Sequence, residues 1–170
     1  MESISVKDRE RLRNLARKQL EYAYAPKNDI IIQKWEALAN GRRENPTVRL
    51  LFSNFPHEVI TPRLQCEGAE ARKMEAHLLE TLVGRELFDD DTPISPTFDV
   101  QWKTWVKPFG AEPMRTRASG ENAMGFHIDP VIEDLETGLE KLRGGSFGVD
   151  REGTYQYKNL AEEIFGDILP

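Results

Sequence analysis

Cysteine is almost absent from this sequence, with Cys66 the only one among 170 residues. A single cysteine cannot form an internal disulfide, which excludes a disulfide-stapled secreted scaffold and fits a reducing, cytoplasmic compartment. Long apolar runs are also missing, and none approaches the roughly 18 residues that a transmembrane helix needs. The amino terminus is polar and charged, unlike a secretory signal. We therefore expect a cytoplasmic protein without a membrane partner.

A surplus of basic residues is missing as well, since 29 acidic residues stand against 23 basic ones and give a formal charge of −6. No Lys/Arg-rich stretch is interleaved with aromatic residues, so a nucleic-acid partner is not expected. Charged residues make up 31% and hydrophobic residues 39% of the chain, which is typical of a folded protein. A length of 170 residues is enough for one domain with a sizeable core.

Apolar residues at helical spacing predict a pair of helices over residues 1–45. Ser5 and Asp8 have the spacing of a capping box, and the first helix is expected to run from about Val6 to Tyr24. Asn28 is expected to cap a second helix that ends at Gly41. Residues 46–170 are expected to form one structural unit, in which further helices are predicted at about Glu67 to Leu87, Asp129 to Leu142 and Thr154 to Phe165.

A short buried strand is predicted at Val48–Phe52, which is too apolar for a half-solvated hairpin strand and too short before Pro56 for a helix. It leads into a polar loop, Ser53–Glu58. Ligands in α/β folds bind at the carboxyl ends of such strands, so Asn54 and His57 are candidate ligand-binding residues. The alternatives are that Asn54 shapes a turn and that His57 caps a neighbouring helix or bonds to backbone.

A second strand is predicted at Phe98–Val106, where side chains alternate between an apolar face and a mostly polar one. Asp99 lies on the polar face and is a candidate ligand-binding residue. The same face would suit a polar barrel interior or an exposed sheet surface equally. Trp102 and Trp105 are interpreted as packing anchors rather than as part of a cofactor site.

Residues 114–121 are rich in turn formers and predict a hairpin-like connection. Three residues here and beyond form a candidate anion-binding edge: Arg115, Arg117 and His127. The alternative is a hairpin with solvated arginines, followed by a helix that Asp129 caps. No metal site is expected, because His127 and Asp129 lack a third ligand and the run Asp89–Asp91 is typical of a solvated loop.

The predicted order is helix, helix, strand, helix, strand, hairpin, helix, helix, which is an α/β pattern. Three stretches resemble the uroporphyrinogen decarboxylase-like superfamily, especially its corrinoid-dependent methyltransferase relatives in anaerobic bacteria. They are RRENPTVRLLFSNFPHEVITP at Arg42–Pro62, VGRELFDDDTPISPTFDVQWKTWVKPFGAEP at Val83–Pro113, and SGENAMGFHIDPVIEDLETGLEKLRGGSFGVDREG at Ser119–Gly153. The family fold is a (β/α)₈ barrel of ~250 residues or more. The resemblance implies an α/β chain with a helical amino terminus followed by a partial (β/α)₈-barrel-like segment.

The resemblance also implies a role in methyl transfer, as the portion that binds a substrate, a methyl donor or a corrinoid-linked ligand. The resemblance supports a ligand-binding role for Asp99, because the family's decarboxylases bring an Asp near the end of the second strand to the pyrrole nitrogens. Those decarboxylases bind the carboxylates of their substrate with an Arg-rich segment after the first strand, whereas Ser53–Glu58 contains no arginine. Decarboxylation of uroporphyrinogen is therefore not expected.

Methyltransferases of this branch hold zinc with one His and two Cys in their carboxyl-terminal half, whereas this chain has one Cys. Catalytic residues are therefore not assigned, and no cofactor is expected to be bound by this chain alone. Corrinoid or zinc would belong to a longer parent or a complex. The expected partners are a corrinoid protein, a chain that completes the barrel, or a second copy. The alternative function is a stand-alone α/β accessory or oligomerisation module without catalysis.

Overall fold

The computed structural model describes residues 4–42, 45–51, 56–110, 114–117 and 125–170. The chain divides into two compact units: unit 1 is Met1–Asp99 with Asn159–Pro170, and unit 2 is Val100–Lys158. Helix accounts for 54% and strand for 11%, so the coarse prediction of a mixed α/β chain is confirmed. The described strands form two small antiparallel sheets, and no barrel is formed by the described residues. Helices from both sides of residue 45 pack together in unit 1.

The core of unit 1 lies between two long helices that the sequence predicts. Helix α1 (Val6–Ala23) begins at the predicted cap, where Ser5 Oγ accepts a hydrogen bond from the Asp8 backbone N–H at 3.0 Å. Its buried residues recur every three or four positions, which is the spacing of one helix face: Asp8, Leu12, Leu15, Ala16, Gln19 and Ala23. The apolar part of the buried face of α4 (Ala69–Val83) packs against α1: Ala71, Met74, Leu78, Leu79, Leu82 and Val83.

Helix α2 (Pro26–Ala39) begins before the predicted cap. Pro26 occupies its first turn, where a missing N–H costs nothing, and Ala25 is the capping position. Asn28 therefore lies inside the helix, and the prediction that it caps α2 is wrong. Its side chain is buried and holds a distant segment instead. Gly41, the predicted terminator, follows the helix with a φ of 65°, a conformation that favours glycine.

The remaining helical segments are mostly short. Unit 1 contains α3 (Pro56–Val59), a 3₁₀ turn at Thr61–Arg63, and a π-helical turn at Gly84–Phe88 that continues α4. Helix α6 (Arg151–Phe165) contributes its first residues to unit 2 and its last to unit 1. The predicted helix at Asp129 to Leu142 is shorter than expected: it consists of α5 (Leu135–Gly138) and a 3₁₀ turn at Leu139–Lys141, and its cap is Asp134 rather than Asp129.

Both sheets lie in unit 2 and have two strands each. Strand β1 (Lys103–Lys107) pairs with β4 (Ser146–Asp150), and β2 (Arg115–Arg117) pairs with β3 (Phe126–Ile128), both antiparallel. The predicted second strand thus begins later than expected. Phe98 instead packs in unit 1 against His77 and Phe165, with ring centroids 4.5 and 4.9 Å away. The side chains of β1 are exposed rather than half-buried.

The predicted strand at Val48–Phe52 is wrong in its described part, because residues 45–51 contain no strand. The stretch is not buried either, since Leu51 is 67% exposed. A strand requires a neighbouring strand to pair with its backbone. Here a side chain takes that role, and Asp90 Oδ2 accepts a hydrogen bond from the Leu50 N–H at 2.9 Å. Phe52 lies outside the described residues.

Candidate functional site

Unit 1 contains a polar cleft of about 310 Å³, which we call the α4 cleft. Its lining comes from α1, α4, residues 49–50, the π-helical turn, and an extended segment, 92–99. We call this last segment the wall segment. The position of the cleft follows from the packing of α1 on α4, whose buried faces bring polar residues to one edge of the core.

The wall segment is held by buried amide side chains instead of a neighbouring strand. Asn28 donates from Nδ2 to the Ile94 carbonyl and accepts from the Ile94 N–H, both at 2.9 Å. Gln19 donates from Nε2 to the carbonyls of Ser95 and Thr97, both at 2.9 Å. Each amide thus satisfies backbone groups that a β-ladder would otherwise pair. Irregular backbone is fixed in this way at the edge of the cleft.

The π-helical turn and the acidic run form another side of the cleft. Asp90 is buried and accepts from the Thr92 N–H at 3.1 Å and from the Thr92 hydroxyl at 2.8 Å. Its carboxylate approaches Gly84 so closely that a Cβ there would lie 3.0 Å from Oδ1. A side chain at position 84 would therefore require the Asp90 carboxylate to shift by a few tenths of an ångström. Buried Arg85 also donates to the Thr92 carbonyl, at 3.1 Å.

These contacts correct the interpretation of Asp89–Asp91 as a solvated loop. Asp91 pairs with Lys34 at 2.8 Å and accepts from the Val48 N–H at 3.1 Å, and Asp89 pairs with Lys27. Residues 45–51 and 89–92 thus hold each other through carboxylates. The sequence pattern missed this because the partners lie some forty residues away along the chain.

His77 is the titratable ring in the α4 cleft. It stacks against Phe98 with ring centroids 4.5 Å apart, and it lies in α4 as a half-buried side chain, as its sequence position suggests. Burial lowers the pKa of His77 below its ordinary value of 6.5, while the nearby carboxylates of Glu80 and Asp99 act in the opposite direction. The ring is therefore neutral at physiological pH and lies near two carboxylates.

Hydroxyl groups around the cleft donate their protons to protein atoms. Thr81 donates to the His77 carbonyl at 3.2 Å, and Thr97 lies 3.3 Å from Asp99 Oδ1, which can only accept. The Ser95 and Thr97 hydroxyls lie 2.7 Å apart, and either can be the donor in that contact. The lone pairs of these hydroxyls remain as acceptors at the cleft.

Gln19 is the residue of this site that sequence reasoning missed. It is 2% exposed, and its Oε1 has no hydrogen-bond partner among the described residues. The amide orientation is fixed, since exchanging O and N would place the oxygen against two carbonyls. The signal was available in the sequence: a polar residue stands on the otherwise mostly apolar face of α1, and buried polar residues are expected to bind something.

Asp99 is the sequence-predicted site residue that the structure places in the α4 cleft. Asn54 lies outside the described residues. His57 lies in α3, but its side chain is not among those described.

Strand alternation separates the three residues of the predicted anion-binding edge. Arg115 faces Ile128 and Arg117 faces Phe126 across the β2–β3 pair, so both arginines lie on one face of this sheet. His127 faces Thr116 and lies on the opposite face. It contacts Asp129 instead, with Nε2 and Oδ1 3.4 Å apart. Arg115 lies over the Phe126 ring, 5.7 Å from its centroid.

Two buried carboxylates bind the turn before α4. Glu75 accepts from the backbone N–H groups of Gln65 and Cys66, both at 2.8 Å, and from Arg11 Nε at 2.8 Å. Asp8 accepts from the backbone N–H groups of Glu67 and Gly68, both at 3.1 Å. Burial would raise the pKa of Glu75, but these hydrogen bonds outweigh it and hold the pKa below its ordinary value.

Cys66 lies between these two carboxylates. Burial, together with Glu75 and Asp8, raises the pKa of its thiol to about 12. A thiol with such a pKa is protonated at physiological pH and is a poor nucleophile or metal ligand.

No family model, curated protein or solved structure matches this chain. Within the described ranges, no three His, Cys, Asp or Glu residues are grouped so that they could hold a metal ion. Among the helices that the structure describes, none combines the length and apolar character that crossing a bilayer requires.

Proposed function

We propose that this chain is the amino-terminal, ligand-binding portion of a uroporphyrinogen decarboxylase-like protein of the corrinoid-dependent methyl-transfer type. Catalysis would require residues beyond this chain. The family part of the proposal is supported by the sequence resemblance of Arg42–Pro62, Val83–Pro113 and Ser119–Gly153.

The observation that carries the ligand-binding role is the α4 cleft. It is lined mostly by polar groups, and Gln19, on one of its walls, has a buried oxygen without a partner among the described residues. Asp99, for which the resemblance implies a ligand role, lies in the same cleft. The buried amides and carboxylates fix the surrounding backbone, so the cleft is preorganised for binding.

The cofactors that the resemblance implies do not fit this chain alone. The zinc site of the branch uses one His and two Cys, whereas the single thiol here is buried and has a pKa of about 12. The proposal therefore assigns zinc to other parts of the full protein and corrinoid to a partner. It predicts that the purified chain forms no coproporphyrinogen from uroporphyrinogen above a buffer control.

The reading frame downstream of Pro170 tests the family part of the proposal. We expect an in-frame continuation with repeated strand–helix units and with one His and two Cys in its carboxyl-terminal half. A continuation of unrelated pattern, or none at all, would contradict the proposed family. Ligand binding in the α4 cleft is tested separately below.

One observation favours the alternative function, a self-associating module without catalysis. Val106 and Phe147 lie opposite each other in the β1–β4 sheet, 68% and 82% exposed, and Trp102 and Val149 extend the same face. Isolated two-stranded sheets are marginally stable in water, and exposed apolar patches mark interaction surfaces. In this alternative, the face binds the same face of a second copy.

Sedimentation equilibrium across micromolar concentrations tests the alternative. Association through this face predicts a dimer that Phe147→Ser converts to a monomer, whereas the control Val6→Ser, an exposed change in unit 1, leaves it dimeric. A monodisperse monomer of the unchanged protein would exclude self-association, and a dimer that persists in Phe147→Ser would exclude this face.

A further inference from the structure

We propose that the α4 cleft selects a small ligand with a primary ammonium group, which it binds through hydrogen-bond acceptors. This inference rests on the proposed ligand-binding function and adds the chemical class of the ligand. It is carried by three observations: the hydrogen-bonding state of the lining groups, their charge, and the size of the cleft.

The lining offers acceptors rather than donors. Gln19 uses both of its N–H groups on the carbonyls of Ser95 and Thr97, which leaves Oε1 as a buried acceptor. Thr81 directs its proton to the His77 carbonyl, so its hydroxyl oxygen can accept from a ligand. A ligand that satisfies these groups must bring hydrogen-bond donors.

The charge of the lining leads to the same conclusion. Glu80 and Asp99 line the cleft together with His77, and both carboxylates act electrostatically on its ring. Arg49 is the cation among the described lining residues, and the His77 ring is neutral at physiological pH. Two anions against one cation favour a positively charged ligand over an anion. A buried acceptor oxygen is costly to leave unpaired, and an ammonium N–H offers the charge-assisted bond that it lacks.

Size restricts the ligand further. A volume of about 310 Å³ lies at the lower end of the range found for small-molecule sites, about 300–1,000 Å³. A short alkylammonium ion fits such a volume, and it carries three N–H donors that can be shared between an amide oxygen, a hydroxyl and a carboxylate.

Titration of the full ¹⁵N-labelled chain with propylammonium chloride, followed by two-dimensional NMR, tests the proposal. We expect saturable shifts at the Gln19 side-chain amide and at the backbone amides of Ser95 and Thr97. Tetramethylammonium has the charge but no N–H, and sodium acetate has the opposite charge. Both are expected to leave these signals nearly unchanged at matched ionic strength.

Two variants test whether propylammonium binding depends on the carboxylates of the cleft or on general surface charge. Glu80→Gln with Asp99→Asn removes both carboxylates at exposed positions, so folding is retained, and it should weaken propylammonium binding by about fivefold or more. Glu36→Gln, on the exposed side of α2, removes one carboxylate elsewhere and should change the Kd by less than about twofold.

Several outcomes would overturn the proposal. Equal binding of tetramethylammonium would contradict the role of the acceptor oxygen, and an unchanged Kd in the double variant would contradict the role of the carboxylates. Saturable binding of acetate instead of propylammonium would overturn the ammonium class while leaving the proposed ligand-binding role intact. If neither ion binds at the cleft, both the class and the role fail.

Discussion

Units 1 and 2 differ in what holds their irregular backbone. In unit 1, buried side chains from helices bind it: Gln19 and Asn28 hold the wall segment, and Asp8 and Glu75 hold the turn before α4. In unit 2, short strands pair with each other, and the side chains of β1, β2 and β3 are all exposed. The predicted site residues are divided between these two environments.

This difference indicates where a specific site can form. A buried polar side chain that binds backbone is costly to disturb, because its removal leaves unsatisfied groups in the interior. Groups fixed in this way can keep a ligand-binding geometry without the ligand. Exposed side chains on two-stranded sheets lack such support. We therefore assign the ligand site to unit 1, although the sequence placed as many candidate residues in unit 2.

The largest expected effect is the difference in stability between a substitution in the core of unit 1 and one in its exposed apolar stretch, residues 48–51. Leu78→Ala leaves a cavity at a fully buried position and should lower the free energy of unfolding by about 2–5 kcal/mol. Leu51→Ala removes a similar side chain at a position that is 67% exposed and should cost less than about 0.5 kcal/mol. Urea unfolding of both variants measures this. Equal losses would mean that residues 45–51 are buried, as the sequence predicts.

The second-largest loss of stability is expected from removing the carboxylate of Glu75, which binds the turn before α4. Glu75→Ala leaves the N–H groups of Gln65 and Cys66 unpaired and removes the partner of Arg11, so it should cost about 3 kcal/mol. The matched change Glu36→Ala, at an exposed position on α2, should cost less than about 0.5 kcal/mol. If the two variants have the same urea midpoint, Glu75 does not hold the turn.

Acidification should destabilise unit 1 in two steps. Burial lowers the pKa of His77, so the unfolded chain takes up its proton first, and stability falls as the pH drops through 6.5 toward the lower folded value. Burial would raise the pKa of Asp8, but backbone N–H groups of Gly68 and Glu67 outweigh it and lower the pKa below 3.8. The pKa of Glu75 is likewise held below its ordinary value of 4.5. The stability that these carboxylates contribute is complete above their ordinary values and is lost as the pH falls through their folded values.

Urea midpoints measured from about pH 7 to about pH 3 test this order. His77→Leu should remove the first step and leave the second. A stability that is constant over this range would contradict the assigned pKa directions. So would a first step that persists in His77→Leu.

The smallest effect is expected in unit 2. Val106→Thr keeps the shape of an exposed β-branched side chain on β1, and it should change the free energy of unfolding by less than about 0.5 kcal/mol in the monomer. A loss above about 1 kcal/mol would show that this face is covered in solution, which would favour the self-associating alternative.

The sequence predicts the long helices well, because each buries one face against a core and this leaves a periodic pattern. Leu12, Leu15 and Ala16 in α1 show this pattern, as do Leu78 and Leu82 in α4. The apolar run at 48–51 gave the wrong prediction, because strand formation depends on a partner strand and the chain supplies aspartates instead.

The candidate site was predictable only in part. Asp99 was identified from its strand position and lies in the α4 cleft, although the strand begins after it. Gln19 and Asp90 contribute through contacts with residues distant along the chain, which no local pattern records. The separation of Arg117 from His127 depends on the register of β2 and β3, which the sequence alone left open.

The central claim is that buried polar side chains fix the irregular backbone of unit 1, both in the wall segment and in the turn before α4. Residue-resolved hydrogen exchange of the backbone amides tests it most directly. The amides of Ile94 and Cys66, which are bound by Asn28 and Glu75, should exchange far more slowly than those of Gly144 and Gly145 in an exposed loop of unit 2. Exchange of Ile94 and Cys66 as fast as these glycines would contradict the claim.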